Sequence, residues 1–222
     1  MDIQSIKKYL EINLGFSKDK IDKIDEYLEL LLNFNKKYNL IGKKTEENAW
    51  ERHILDSAQI ISHIDFKKDY ILSDFGSGAG LPGVVISIAN NNPNFHVKLY
   101  EKSTIKRIFL KKIQKIKKFE IKKDIYDYEN INSDYIVCRA FKKLPIIFNI
   151  SREKVKNPHK IIILKGKNAI FDLKKLPKDN EYRYKIYNSI TDKDSKIIVA
   201  EKKWIKKLFL LLIKKVGLEK LL

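Results

Sequence analysis

The run Asp74-Phe75-Gly76-Ser77-Gly78-Ala79-Gly80-Leu81-Pro82-Gly83 concentrates the residue types that bind a nucleotide-like ligand. It follows a short apolar segment, Tyr70-Ile71-Leu72, read as a strand. It precedes Val84-Val85-Ile86-Ser87-Ile88-Ala89, read as a helix. Glycines permit a tight turn and let a ligand approach the backbone. The N-terminus of the helix offers unpaired N–H groups and the positive end of its dipole. Pro82 suits the first helical turn, where a missing N–H costs little. Glu101 lies twenty-one residues after Gly80, behind a second strand-like run, Val97-Lys98-Leu99-Tyr100. An acid there can accept hydrogen bonds from a ribose diol.

The glycine pattern alone is ambiguous. Gly78-Ala79-Gly80-Leu81-Pro82-Gly83 satisfies the G-x-G-x-x-G dinucleotide form. Gly76, Gly78 and Gly80 also give G-x-G-x-G with Asp74 two residues ahead, the form shown by methyltransferases that use S-adenosylmethionine. Either pattern is weak by itself. With a strand before it and acids at 74 and 101, the stretch reads as an adenosyl-ligand site. The bland alternative is an ordinary glycine-rich loop between a strand and a helix.

The elements that must position this loop follow from periodicity. Residues 1 to about 65 read as helical. Ile3, Ile6, Leu10 and Leu14 recur at helical spacing, as do Ile21, Ile24, Leu28, Leu31 and Leu32, with Gly15 as a stop between them. Thr45-Glu46-Glu47-Asn48 reads as the cap of a third helix through His53 to about Ser62. From residue 70 the texture changes. Strands are expected at 70–73, 97–100, 135–138 and 161–164, with helices near 82–90, 104–118 and 142–154. That alternation implies a parallel sheet with helices on both faces. Tyr184-Lys185-Ile186-Tyr187 and Lys196-Ile197-Ile198-Val199-Ala200 read as a closing hairpin. Ligands of open α/β sheets lie beyond the carboxyl ends of the strands. Asp74 to Gly80, Glu101, the region Asp124 to Tyr126, Arg139 and Lys165-Gly166 are therefore expected to converge on one cleft.

Composition bounds the class. The chain has 222 residues, 44% of them hydrophobic, enough for one α/β domain with a small accessory segment. A single cysteine, Cys138, excludes an internal disulfide and fits a reducing compartment. Met1 to Leu14 has no apolar core of a secretory signal, and the longest apolar run, Leu208 to Ile213, is too short to span a bilayer. A cytoplasmic protein is expected. The formal charge of +18 points to a polyanionic partner. Part of that charge reflects codon bias, because the 46 basic residues include only five arginines and Ile, Asn and Tyr are also plentiful. Where lysine substitutes so freely, a retained arginine points to use of its planar fork.

Further motifs carry a resemblance. They are Tyr38-Asn39-Leu40, Trp50-Glu51-Arg52-His53-Ile54-Leu55-Asp56-Ser57, Asp74 to Gly83, and Glu101-Lys102-Ser103 with Lys106-Arg107 and Phe109-Leu110. Cys138-Arg139-Ala140-Phe141 and Leu164-Lys165-Gly166 follow. In this set and order, from about residue 30 to 200, the chain resembles the bacterial RsmG (GidB) methyltransferases, which form 7-methylguanosine in small-subunit ribosomal RNA. Arg52, Arg107 and Arg139 all fall inside the matching motifs. The stretch Lys123-Asp124-Ile125-Tyr126-Asp127 departs from the family, which usually has an arginine, a small or β-branched residue and an acid there. Cys138 replaces the commoner serine.

The resemblance implies a class I S-adenosylmethionine-dependent methyltransferase fold, α/β and Rossmann-like, whose seven-stranded sheet has one antiparallel strand. The expected organisation is an N-terminal helical segment over 1–65, the methyltransferase domain over 66–201 and a basic amphipathic extension over 202–222. The implied cofactor-binding residues are Asp74, Gly76, Ser77, Gly78, Gly80, Leu81, Glu101, Ile125, Tyr126 and Arg139. Arg139 and Lys165 are the candidates for holding the guanine or its phosphates, set against a strand-end salt bridge for Arg139. Lys106, Arg107 and Lys111, on a helix with Ile105, Ile108, Phe109, Ile113 and Ile116 as its apolar face, are candidates for tracking an RNA backbone. His53 reads as a packed, hydrogen-bonded histidine, and Arg52 with Asp56 as an i,i+4 pair. Four scattered histidines and one cysteine lack metal-ligand spacing. The expected partner is 16S ribosomal RNA or the small ribosomal subunit, with neither metal nor membrane, for a monomeric protein. Rival readings are a same-fold methyltransferase with another substrate, and a basic RNA-binding assembly factor with a degenerate cofactor pocket.

Overall fold

In the computed structural model, which describes residues 1–176 and 182–202, two capped helices begin the chain. The Asp2 carboxylate accepts from Ser5 N at 2.9 Å and starts α1, Ile3–Leu14, and Gly15 at φ 67° ends it. Ser17 caps α2, Lys18–Asn35. Their apolar stripes turn inward: Ile6 and Leu10 from α1, and Ile21, Ile24, Tyr27, Leu28 and Leu31 from α2. Buried Asn35 ties off the next loop, accepting from the N–H groups of Leu40 and Ile41 and donating to Ile41 O and Glu46 Oε1.

The continuous third helix expected from Thr45 to Ser62 does not form. Trp50–Leu55 winds as a π-helix, runs into α3, Asp56–Ala58, and is followed by a 3-10 turn at Ile61–His63. Thr45 caps no helix, because its hydroxyl donates to Gly42 O at 2.6 Å and bonds His53 Nε2 at 2.8 Å. Gly42 and His53 have claimed the side chain that local pattern assigned to a cap.

Beyond residue 70 the described strands are β1 Ile71–Phe75, β2 His96–Tyr100, β3 Glu120–Lys122, β4 Tyr135–Arg139, β5 Lys160–Lys165, β6 Tyr182–Asn188 and β7 Lys196–Lys202. They form one sheet in the order β3-β2-β1-β4-β5-β7-β6. β7 runs antiparallel to both its neighbours, and every other pairing is parallel. The helices are α4 Gly83–Ala89, α5 Thr104–Ile113, α6 Leu144–Lys154 and α7 Ala169–Lys174. The expected mostly parallel sheet and its closing hairpin are therefore present. β3 was not legible from pattern, since Glu-Ile-Lys offers a single apolar residue at a sheet edge.

Alternation along the central strands serves two cores. On β5, Ile162 and Leu164 join the side covered by α4 and α5, while Ile161 and Ile163 join the side covered by α6 and α7. The N-terminal helices belong to the first core: Leu10, Tyr27 and Ile54 share it with Leu72, Val97 and Phe109. Tyr27 also donates its buried hydroxyl to Ala79 O at 3.0 Å, tying α2 to the glycine loop. The expected apolar face of residues 104–118 needs correction. The α-helix ends at Ile113, and Ile105 and Ile108 are 46% and 48% exposed. Leu110, with Phe109, Ile113 and Ile116, faces the core instead. The proposed extension lies outside the described residues apart from Lys202, which ends β7.

Candidate active site at the carboxyl edge of the sheet

The strand order reverses direction between β1 and β4, and there the ends of β1, β4 and β5 lie side by side, with Asp74 opposite Val137 and Arg139 opposite Leu164. A crevice at such a point is the usual ligand position of an open α/β sheet. Here it is a cleft of about 670 Å³ whose walls include Gly76, Ser77, Gly78, Leu81, Arg139 and Lys165.

The glycine loop is pinned from beneath. Gly76 N and Ser77 N both donate to Tyr100 O, and Ser77 Oγ donates to Asp74 O. Gly76 adopts φ +72°, and a Cβ there would run into the Phe141 ring. Gly78 adopts φ +60° but faces open space, the nearest atom to a Cβ being Gly76 O at 3.9 Å. One glycine admits a neighbouring side chain; the other keeps the backbone open toward the cleft.

Two acids stand behind this wall rather than in it. Asp74 lies within β1, fully buried, and its Oδ2 accepts from Gly83 N at 2.9 Å. Its Oδ1 has no partner. Burial pushes this carboxyl up to about 7, against the lowering effect of the Gly83 N–H. Glu101 accepts from Gly78 N at 2.8 Å through Oε2 and from Ser103 N at 2.7 Å through Oε1. Each carboxylate oxygen keeps a lone pair for a further donor.

Arg139 is gripped by the segment that replaced the expected third helix. Its Nη1 donates to Arg52 O at 2.9 Å and to Asp56 Oδ2 at 3.1 Å, and its Nη2 bonds His53 Nδ1 at 3.0 Å. A guanidinium only donates, so His53 Nδ1 is the acceptor and Nε2 carries the proton, donated to Thr45 Oγ1. Burial first, then the Arg139 and Arg52 charges, hold the His53 pKa down at about 3, so the ring stays neutral. His53 is thus the packed, bonded histidine expected. Arg52 and Asp56 do not pair with each other: Arg52 reaches Asp192 at 3.6 Å, and Asp56 takes Arg139. The strand-end salt bridge set against a site role for Arg139 exists, and the same side chain lines the cleft.

Lys165 points into the cleft from β5 and is paired with Asp172 of α7 at 2.9 Å. Lys106 reaches the cleft wall from α5. Arg107 is committed locally, donating to the carbonyls of Glu101 and Lys102 and to Thr104 Oγ1. Lys111 is exposed on the last turn of α5. Ile125 is buried with Phe75 and Tyr100 on the other sheet face, and Tyr126 is 53% exposed with Lys154 over its ring. Neither is brought to the walls of this cleft. Sequence reasoning missed Thr191 and Asp192, which meet Asp56 and Arg52 from the far end of the chain with no local spacing to mark them, and it missed the short-range pairs Thr45–His53 and Lys165–Asp172. Among the described residues, no group of His, Cys, Asp and Glu is placed to hold a metal ion, and no helix is long and apolar enough to cross a membrane.

Residues 20–200 match the family described as GidB, rRNA small subunit methyltransferase G. The Ribosomal RNA small subunit methyltransferase G of Orientia tsutsugamushi (strain Ikeda) is 36% identical over 199 residues, covering 88% of this chain and 98% of that relative. Among solved structures, the ribosomal protein L11 methylase from Lactobacillus delbrueckii subsp. bulgaricus superposes with a TM-score of 0.55 at 10% identity, over 74% of this chain and 81% of that one. A SAM dependent methyltransferase from Aquifex aeolicus does so at 0.51 and 14% identity, over 69% and 91%. The sheet is thus that of class I methyltransferases, and the chain belongs to the GidB family of rRNA small subunit methyltransferases.

Proposed function

We propose that this enzyme methylates guanine N7 in the 16S ribosomal RNA of the small subunit, using S-adenosylmethionine. The observation that carries the reading is the meeting, in one cleft of a GidB-family chain, of an open glycine loop backed by two acids with Arg139 and Lys165. The residues present fit the cofactor: Gly78 leaves room for an adenosyl group, Glu101 has lone pairs for a ribose diol, and the buried, half-partnered Asp74 favours a cationic ligand.

When bound, S-adenosylmethionine supplies a methyl group on a cationic sulfur; transfer to the N7 lone pair breaks the S–C bond toward sulfur and leaves the base positively charged. No proton leaves N7, so the protein supplies no general base there. That agrees with a neutral His53 whose ring nitrogens are both engaged. The task left to the side chains is alignment, worth roughly 7–11 kcal/mol at best. Arg139 and Lys165 hold the target nucleotide, with Arg139 also within reach of the cofactor site. Asp74, Gly76, Ser77, Gly78, Gly80, Leu81 and Glu101 form the cofactor cradle; Ile125 supports it from the far side of Phe75 and Tyr100, with Tyr126 next to it on the same 3-10 turn. Lys106, Arg107 and Lys111 face the RNA. Residues 1–65 act as a helical buttress to the methyltransferase domain of 66–201, in a monomeric cytoplasmic protein.

The test is incubation with labelled S-adenosylmethionine and small subunits from a strain lacking this modification, followed by nuclease mapping. Label recovered as 7-methylguanosine in 16S RNA supports the reading. Cofactor binding without label moves the substrate elsewhere. Absence of cofactor binding favours an assembly factor, the reading to which the displaced Asp124-Ile125-Tyr126 stretch belongs.

A further inference from the structure

The R-H-I-L-D-S motif at Arg52 to Ser57 is a marked sequence feature that the proposed chemistry leaves without a task. Its residues converge on one side chain 83 to 87 positions away in sequence. Arg139 ends β4 and is followed by Ala140 at φ +50°, a left-handed residue that is uncommon outside glycine. An arginine at such an exit has many rotamers. Here three contacts fix one of them: Arg52 O and Asp56 Oδ2 on Nη1, and His53 Nδ1 on Nη2. The π-helical turn Trp50–Leu55 and the first residue of α3 together bring the three acceptors to Nη1 and Nη2 of the guanidinium. The two side-chain acceptors are themselves held. Asp56 Oδ1 accepts from Gln59 Nε2 and Thr191 Oγ1, and His53 Nε2 is bonded to Thr45, whose hydroxyl donates to Gly42 O.

We propose that His53 and Asp56 are positioning residues for Arg139, holding one edge of its guanidinium so that its two remaining donors meet an oxyanion in the cleft. The proposal rests on the function read above. The remaining donors are Nε–H and one hydrogen on Nη2, which have no partner among the described residues. Guanine N7 is excluded as their target, because a donor on N7 would occupy the lone pair that must attack. The chemistry that suits them is a pair of oxygens, which a phosphodiester of the RNA or the carboxylate of the cofactor would present. Neutrality of His53 is part of the device: a protonated ring would have no acceptor to offer and would repel the guanidinium.

The test is a set of double-mutant cycles pairing Arg139→Ala with His53→Ala and with Asp56→Ala. The cycles are read on kcat/KM with small subunits, on Kd for S-adenosylmethionine and on Kd for small subunits at fixed salt. Binding readouts keep the cycles interpretable where no methyl group is transferred, so failure of the functional reading is seen separately. Each single variant should lose up to about 100-fold in the affected quantity, the order expected for a misplaced group. On the Arg139→Ala background, removing His53 or Asp56 should lose less than about twofold more. A loss in Kd for the small subunit alone identifies the phosphate, and a loss in Kd for S-adenosylmethionine alone the carboxylate. His53→Gln, which keeps an acceptor, should recover most of the loss. Additive losses in the double variants, or full function in His53→Ala, would overturn the proposal. Where either alanine variant unfolds, His53→Phe and Asp56→Leu, which fill the space without offering an acceptor, take its place in the cycle, with the same non-additivity required.

Discussion

Asp74 combines a stability penalty with a ligand preference. Its folded pKa of about 7 stands above the ordinary 3.8 because burial disfavours the charged form. Folded protein therefore keeps a proton that unfolded protein releases, and stability falls as pH rises through that window. Asp74→Asn removes the penalty while keeping an oxygen for Gly83 N. Its Tm should exceed that of the wild type at pH 8, with a smaller gain at pH 5. A cationic ligand reverses the balance by favouring the carboxylate. The wild-type Kd for S-adenosylmethionine should therefore tighten from pH 6 to pH 8, and calorimetry on Asp74→Asn should show that dependence gone. Arg139→Ala separates differently. It should abolish methyl transfer and also destabilise by about 1–3 kcal/mol, because Asp56 and His53 lose a buried donor. An unchanged Tm would mean that the three contacts to Arg139 contribute nothing to folding.

At the scale of elements, the glycine loop makes two neighbouring positions behave differently. Gly76→Ala forces a Cβ against Phe141 and keeps the αL strain, which is worth about 1–2 kcal/mol before any clash. Its main effect should be a lowered Tm. Gly78→Ala carries the strain without the clash and obstructs the open side of the loop. It should fold, with a Tm nearer the wild type, and bind S-adenosylmethionine far more weakly; equal Kd values for the two variants would contradict this division. This loop, the flanking β1 and α4, and the central strands were legible because each is written locally, as an apolar run beside a glycine turn. β3 was not, since three residues at an edge need no apolar alternation. The broken helix at 50–63 was misread for a different reason. Thr45-Glu46-Glu47-Asn48 has the composition of a cap, yet His53, eight residues on, takes the threonine hydroxyl. The Arg139 clamp was invisible for the same reason: its partners are set by topology, and no spacing along the chain encodes them.

Across the whole molecule, 46 basic against 28 acidic residues make a polyanion attractive everywhere, so charge alone cannot mark where RNA lies. Pairing can. Of the cations on the cleft wall, Arg52, Arg139 and Lys165 each face an acid, Asp192, Asp56 and Asp172. Lys196 is tied to Asn188 Oδ1 and Lys193 O, while Lys106, Lys143 and Lys167 line the same cleft with neither an ion pair nor a side-chain hydrogen bond among the described residues. They come from three different connections, at the start of α5, before α6 and after β5, and so surround the mouth. The paired cations are already neutralised and suit fixed roles inside. The unpaired ones retain their counterions in free protein and are the ones whose neutralisation by phosphate changes the salt dependence of binding. For single-stranded RNA each phosphate contact contributes about 0.7 to the slope of log K against log salt. Replacing all three lysines by glutamine should therefore lower the slope for small-subunit binding by about 2, at unchanged Kd for S-adenosylmethionine. Replacing Lys8, Lys67 and Lys115, exposed and outside the cleft walls, should leave the slope nearly untouched. Equal slope changes in the two triple variants would mean that the protein's total charge, rather than the cleft rim, engages the RNA.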